Sequence, residues 1–110
     1  MEIDFLDAAK AERDEQRRRY LIAVGEAIAL GNLADAQQGE FDRIEKKIRE
    51  LTAKCREKET AIEGLRTQDH EEYVSQMVEL CDEEAKAYSI LTGELRRLVQ
   101  EVRLRRGTGR

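Results

Sequence analysis

The sequence predicts an all-α protein, an elongated antiparallel three-helix coiled-coil bundle that forms a single domain over residues 1–106. Three observations predict this fold. Charged residues make up 40% of the 110 residues and aromatic residues only 5%, which is typical of long helices in slender contact. There is no proline to interrupt a helix. Finally, two long stretches carry apolar residues at alternating spacings of about three and four positions, the signature of a heptad seam.

The first helix is predicted over residues 3–30, with Asp4 and Asp7 able to form an acidic capping box at its start. Residues 10–19 are almost entirely charged, so we expect this half of the helix to stay solvated and loosely packed. We expect the last third to pack through an apolar stripe formed by Tyr20, Leu21, Val24, Ala27 and Ile28.

Two positions are candidates for the first turn. Gly31 and Asn32 form one, because glycine is preferred just after a helix end and asparagine just before the next helix. Gly39 is the other, since glycine inside a helix costs about 1 kcal/mol relative to alanine.

The second helix, predicted over residues 33–66, carries the clearest seam, and this seam is expected to organise the bundle. Only Lys58 breaks its heptad pattern. An amphipathic helix of this kind needs a partner for its apolar stripe. The apolar seam positions are Phe41, Ile44, Ile48, Leu51, Cys55, Ile62 and Leu65.

The third helix is predicted over residues 70–106, with Asp69 and Glu72 as its capping box and residues 107–110 as a flexible tail. The short connection at 67–69 makes the second and third helices antiparallel. At about 1.5 Å per residue, the rod should be about 40–55 Å long. The seam positions of this helix are Val74, Met77, Cys81, Glu84, Tyr88, Leu91, Leu95, Leu98 and Val102.

Antiparallel pairing places Phe41 opposite Leu98 and brings the polar seam residues Lys58 and Glu84 to neighbouring heights. Two arrangements of this polar pair are open. The side chains can bond across the seam and fix its register, or both can extend to water.

The sequence offers little for catalysis, which needs convergent polar groups in a pocket. The single histidine, His70, is expected to be exposed at a helix start. Cys55 and Cys81 lack the spacing of zinc or redox sites and are expected to be shielded, reduced seam residues. No glycine-rich phosphate loop is present. We therefore expect a protein that is not an enzyme and needs neither a metal nor a cofactor.

Localisation is predicted to be cytoplasmic. The sequence has no run of about 20 apolar residues, so no membrane span is expected. The N-terminus is acidic rather than basic, which does not suit a secretory signal. Reduced thiols fit the same compartment.

The end of the third helix is basic and could contact phosphates. The acidic start of the same helix and the pI of about 5.2 disfavour nucleic acid as a partner. Two alternatives explain the basic residues without nucleic acid. They can bind an acidic protein partner, or they can compensate the helix dipole as solvated side chains. The basic residues are Arg96, Arg97, Arg103, Arg105, Arg106 and Arg110.

The preferred function is a protein-binding module whose apolar groove holds a helix of a partner protein. A structural homodimer without a client is the alternative, because a heptad pattern shows that a stripe is buried and leaves its partner open. A nucleic-acid-associated factor is less favoured. The residues predicted to line the groove are Leu80, Ala87, Leu91, Leu95, Leu98, Phe41 and Ile44.

The chain resembles the FliT-type flagellar export chaperones of type III secretion. The resemblance lies in two stretches, Gly31-Asn32-Leu33 and residues 36–42, and in the spacing of leucine and acidic residues over 74–102. Neither stretch carries the tryptophan typical of that family. The resemblance implies a cytoplasmic chaperone that shields an aggregation-prone helix of an export substrate, such as the filament-cap protein. It also implies contacts to the export ATPase or gate.

Overall fold

The computed structural model describes residues 2–108, which form three helices: α1 (Glu2–Ala29), α2 (Asp35–Glu63) and α3 (His70–Thr108). There is no strand in this part of the chain, and the predicted all-α three-helix bundle is confirmed. The backbone measures 63 × 24 × 15 Å. The rod is longer than predicted because α3 has 39 residues, which corresponds to about 58 Å of helix.

Gly31 forms the first turn. Its φ of +77° is in the left-handed region, which glycine adopts without steric cost. The amides of Leu30 and Gly31 donate hydrogen bonds to the carbonyls of Ala27 and Ile28, which closes the last turn of α1. Gly39 lies inside α2, so the first of the two candidate turns is the observed one.

The helix starts agree with the predicted caps in one case out of three. The predicted cap at Asn32 is wrong, because α2 is capped at Ala34, whose amide donates a hydrogen bond to the Gln37 side chain at 3.3 Å. The Asp69 carboxylate accepts a hydrogen bond from the Glu72 amide at 3.2 Å, which confirms the cap of α3. The prediction that Asp4 caps α1 is wrong, because α1 begins at Glu2 and Asp4 lies within it. At the far end, α3 continues through Thr108, so the predicted tail is helical to that residue, and positions 109 and 110 lie outside the described residues.

α3, rather than α2, is the central helix of the bundle. It packs against both other helices, whereas no Cα atom of α1 comes within 8 Å of one of α2 in residues 2–108. The more extensive interface is between α1 and α3. These two helices run parallel, because Arg13 contacts Cys81 and Tyr20 contacts Tyr88 at the same sequence separation of 68.

The whole length of α1 packs on α3. Residues 10–19 are exposed or half-buried, as the sequence predicts, up to buried Tyr20, but the prediction that this half is loosely packed is wrong. The half-buried Arg13 and Gln16 continue the heptad between two apolar segments. Alanines allow α3 to approach α1 closely, and a search for large apolar residues overlooks them. The buried α1 seam positions are Leu6, Ala9, Tyr20, Ala23 and Ala27.

The predicted stripe at the end of α1 is partly wrong as well. Tyr20 and Ala27 are buried and Val24 is half-buried against the core, whereas Leu21 and Ile28 are exposed. The register of the helix on α3 decides this, since the seam selects Ala23 rather than its larger neighbours.

Candidate protein-binding surface

The residues predicted to line an open groove lie in the core of this chain. Phe41, Ile44, Leu91, Leu95 and Leu98 share one apolar cluster, into which α1 places Tyr20, Ala23 and Ala27. The alanine-rich seam of α1 therefore fills the predicted groove. The remaining two predicted positions also face the bundle: Leu80 is buried in a second cluster and Ala87 is half-buried.

A polar layer separates the two apolar clusters. Arg13 of α1 places its Nη1 atom 3.6 Å from the sulfur of Cys81, and its Nη2 atom 3.0 Å from the carboxylate of Asp14. Glu84 is half-buried in the same layer. Burial raises the pKa of Glu84 above its ordinary value, and the positive charge of Arg13 opposes this. The layer therefore carries charge where a continuous seam would be apolar.

Lys58 does not bond to Glu84. Its ammonium group lies 3.2 Å from the Glu83 carboxylate, and both side chains are exposed. Of the two arrangements that the sequence leaves open, the bond across the seam is not formed, and Lys58 extends to water at the outer edge of the α2–α3 interface. Glu84 is left to interact with α1, through Arg13 and Arg17.

Both cysteines are buried and free, as the sequence predicts. Burial raises the pKa of the Cys55 thiol to about 11, and it also raises the pKa of Cys81, where the charge of Arg13 opposes the shift. Thiolates are the reactive form of cysteine. These two side chains therefore behave as small seam residues rather than nucleophiles.

The features that could support chemistry are sparse in the described part of the chain. His70 is exposed at the first residue of α3, as predicted, with its ring centre 6.2 Å from that of Tyr73. No group of three histidine, cysteine, aspartate or glutamate side chains is placed to hold a metal ion in residues 2–108. A surface depression lies between α2 and α3, where Arg43, Arg97 and Arg105 alternate with glutamates.

The basic end of α3 has a structural role that sequence reasoning missed. Arg106 donates hydrogen bonds to the carbonyls of Leu30 at 2.6 Å and Asn32 at 2.7 Å. These carbonyls lie just past the end of α1, where a helix leaves acceptors unsatisfied. Arg96 and Arg103 are exposed, as Arg106 is.

An exposed apolar face runs along the end of α1, on the side turned away from α3. Leu21 is 60% exposed, Ile22 45% and Ile28 64%. Helical spacing places Gly25 between them and Ala29 beside them, and both are exposed. We call these five residues the outer face of α1. Sequence reasoning missed it, because it counted Leu21 and Ile28 as part of the stripe that packs in the bundle.

Two further features adjoin the outer face. A cavity of about 210 Å³ extends it towards α2, lined in part by Ile28, Gln38 and Phe41. At Gly25, an added methyl group would meet no atom within 4 Å, so this chain does not itself require glycine there. A glycine inside a helix costs about 1 kcal/mol relative to alanine, and it is used where another backbone approaches closely.

No family model, curated protein or solved structure matches this chain. None of the helices in residues 2–108 combines the length and the apolar character needed to cross a membrane.

Proposed function

We propose that this chain is a non-enzymatic protein-binding module, and that its binding surface is the outer face of α1. The observation that carries the proposal is the exposure of Leu21, Ile22 and Ile28 on one side of a single helix. Single exposed apolar residues are common on proteins, whereas a contiguous group of them marks an interaction site.

The apolar character and spacing of the outer face indicate the kind of partner that it binds. Leu21, Gly25 and Ile28 follow the i, i+4, i+7 spacing of one helix face, which can pack against a second helix. The partner is therefore an amphipathic helix with an apolar stripe of about two turns. The buried core residues of the predicted groove, such as Leu95 and Leu98, support the bundle instead of touching the partner.

If the chain is an export chaperone, the bound helix belongs to an aggregation-prone segment of an export substrate. A chaperone would use the same outer face, and the free thiols of Cys55 and Cys81 fit a cytoplasmic setting.

Photo-crosslinking tests this proposal in the cells that make the protein. A benzophenone amino acid replaces Leu21, and a matched control replaces Gln100, which is exposed on α3. We expect adducts from position 21 that map to an amphipathic helix of the captured protein, and that disappear when Ile28→Asp is added. Adducts that form equally from position 100, or none from position 21, would overturn the proposal.

A further inference from the structure

We infer that α3 carries a second interaction surface, a stripe of separated charges on its solvent side, and that its partner is the same stripe of a second copy of this chain, packed antiparallel. This inference goes beyond the proposed function and does not rest on it, because the stripe is separate from the outer face of α1. The residues of this charged stripe are all exposed: Glu71, Asp82, Ser89, Arg96 and Arg103.

The charged stripe follows one line along α3, and the sign of its charge changes once. Asp82, Ser89, Arg96 and Arg103 recur every seven residues, and Glu71 lies eleven residues before Asp82. Spacings of seven and eleven residues are close to two and three whole turns, so these side chains lie on one side of the helix. The stripe is acidic before Ser89 and basic after it.

The helix dipole does not explain the inner charges of the stripe. α3 runs from His70 to Thr108, so Asp82 and Arg96 each lie twelve residues inside an end of the helix. The effect of the dipole falls off within the first and last turns. The separation of charge along the middle of α3 therefore needs another explanation.

The bundle itself leaves the charges of the stripe without a partner. Three other exposed arginines, such as Arg43, each form an ion pair with the glutamate three residues before them. That position holds a glycine before Arg96 and a glutamine before Arg103. Asp82 is not paired with Lys86, which follows it by four residues. Within residues 2–108, none of the four charged side chains of the stripe forms an ion pair.

A second copy supplies a partner of the right sign for every charge. With a two-fold axis at the level of Tyr88, beside the middle of α3, Asp82 of one copy faces Arg96 of the other, and Glu71 faces Arg103. The two members of each pair differ in height by two residues, about 3 Å, which an arginine side chain spans. The symmetry repeats both pairs, giving four ion pairs in the dimer. A parallel pair would place like charges together, and a polyanion would be repelled by the acidic half.

The dimer should be weak and sensitive to salt. Exposed ion pairs contribute little one by one, and more as a network. Ile90 is 65% exposed and lies two residues after the axis, where it meets the methylene chain of Lys86 from the other copy. We expect a dissociation constant on the order of tens of micromolar at about 0.05 M salt, weakened about tenfold at about 0.5 M.

Charge reversal tests the pairing by analytical ultracentrifugation of the purified chain. Glu71→Arg with Asp82→Arg leaves only positive charges on the stripe, and Arg96→Glu with Arg103→Glu leaves only negative ones. We expect each double variant to self-associate about tenfold more weakly than the wild type. An equimolar mixture of the two should dimerise about as tightly as the wild type, because every pair is then restored with its signs exchanged.

The matched control reverses two charges elsewhere. Lys46→Glu with Arg49→Glu makes the same change in net charge on exposed residues of α2, and this variant should remain dimeric. A wild-type chain that is monomeric at about 1 mM in low salt overturns the inference. A mixture that associates no more tightly than its two components overturns it as well.

Disulfide formation tests the orientation. Under mild oxidation, chains with Asp82→Cys should form covalent dimers with chains carrying Arg96→Cys, because these positions face each other. Neither variant should cross-link to itself, since the two copies of either position lie about 18 Å or more apart, beyond disulfide reach. The native cysteines are buried and do not compete. Efficient cross-linking of each variant to itself would indicate a parallel pair and overturn the inference.

Discussion

The guanidinium of Arg13 lies 3.6 Å from the thiol sulfur of Cys81, at the point where a heptad seam would place two apolar residues in contact. This contact joins α1 to α3 in a polar layer that also contains Glu84, with an apolar cluster on each side. Buried charges lose hydration, and they are stabilising only when their partners are present. The stability of the bundle should therefore depend on the composition of this layer and on its protonation.

Replacing the layer by apolar residues should stabilise the bundle. We expect Arg13→Met alone to destabilise it, because half-buried Glu84 then loses the positive charge that most favours its ionised form. We expect the double variant Arg13→Met, Glu84→Met to exceed the wild type in its free energy of unfolding by less than the ~1–4 kcal/mol gained when a fully buried ion pair is replaced, because both side chains are only half-buried. Urea titration of the wild type, both single variants and the double variant measures this as a double-mutant cycle. Additive effects would show that the two side chains are not coupled.

The stability of the bundle should depend on pH through Glu84. Burial raises its pKa in the folded state, so folding binds a proton in the window just above the ordinary glutamate pKa of 4.5. Its carboxyl group therefore favours folding below that window and disfavours it increasingly as pH rises through the raised pKa. We expect Glu84→Gln to be more stable than the wild type at about pH 7, and this difference to shrink towards about pH 4. Thermal melts across this range measure it, and a gap that widens on acidification would contradict the sign.

Arg106 should stabilise the junction between α1 and α3. Its two hydrogen bonds to the Leu30 and Asn32 carbonyls satisfy groups at the end of α1, so Arg106→Ala should cost about 1 kcal/mol. Arg103→Ala, on an exposed residue of the same turn, is the control and should change stability by less than about 0.5 kcal/mol. Chemical denaturation of both variants decides this, and equal effects would remove the special role of Arg106.

The buried and exposed leucines should respond differently to truncation. Leu80 and Leu98 are each 3% exposed, so replacing either by alanine should cost about 2–5 kcal/mol. Leu21→Ala, on the outer face of α1, should change the stability of the bundle by less than about 0.5 kcal/mol, because its side chain is 60% exposed. Urea titrations measure all three. A small loss for Leu80→Ala would show that its side chain is not packed as the core requires.

Much of the fold could be predicted from local patterns. Several local features predicted structure that is observed, because each acts within a few residues of the chain. They are the heptad of α2, the absence of proline, the turn candidate Gly31 and the Asp69 cap. The candidate surface was less predictable. The groove residues were correctly seen as apolar positions of a seam, but a seam pattern does not say which helix covers it.

Local sequence was enough to establish that this chain forms three long helices, that Asp69 caps α3, and that Cys55 and Cys81 belong to a seam. It reduced the position of the first turn to two candidates, Gly31 and Gly39, and the structure selects Gly31. The packing of the helices in three dimensions was needed to show that α3 is central, and that α1 packs through Ala23 and Ala27 while Leu21 and Ile28 stay exposed. Helix formation depends on interactions within about four residues, whereas the rotation of α1 on α3 depends on how closely two backbones approach. Small alanines permit that approach, and the larger residues beside them then face outward.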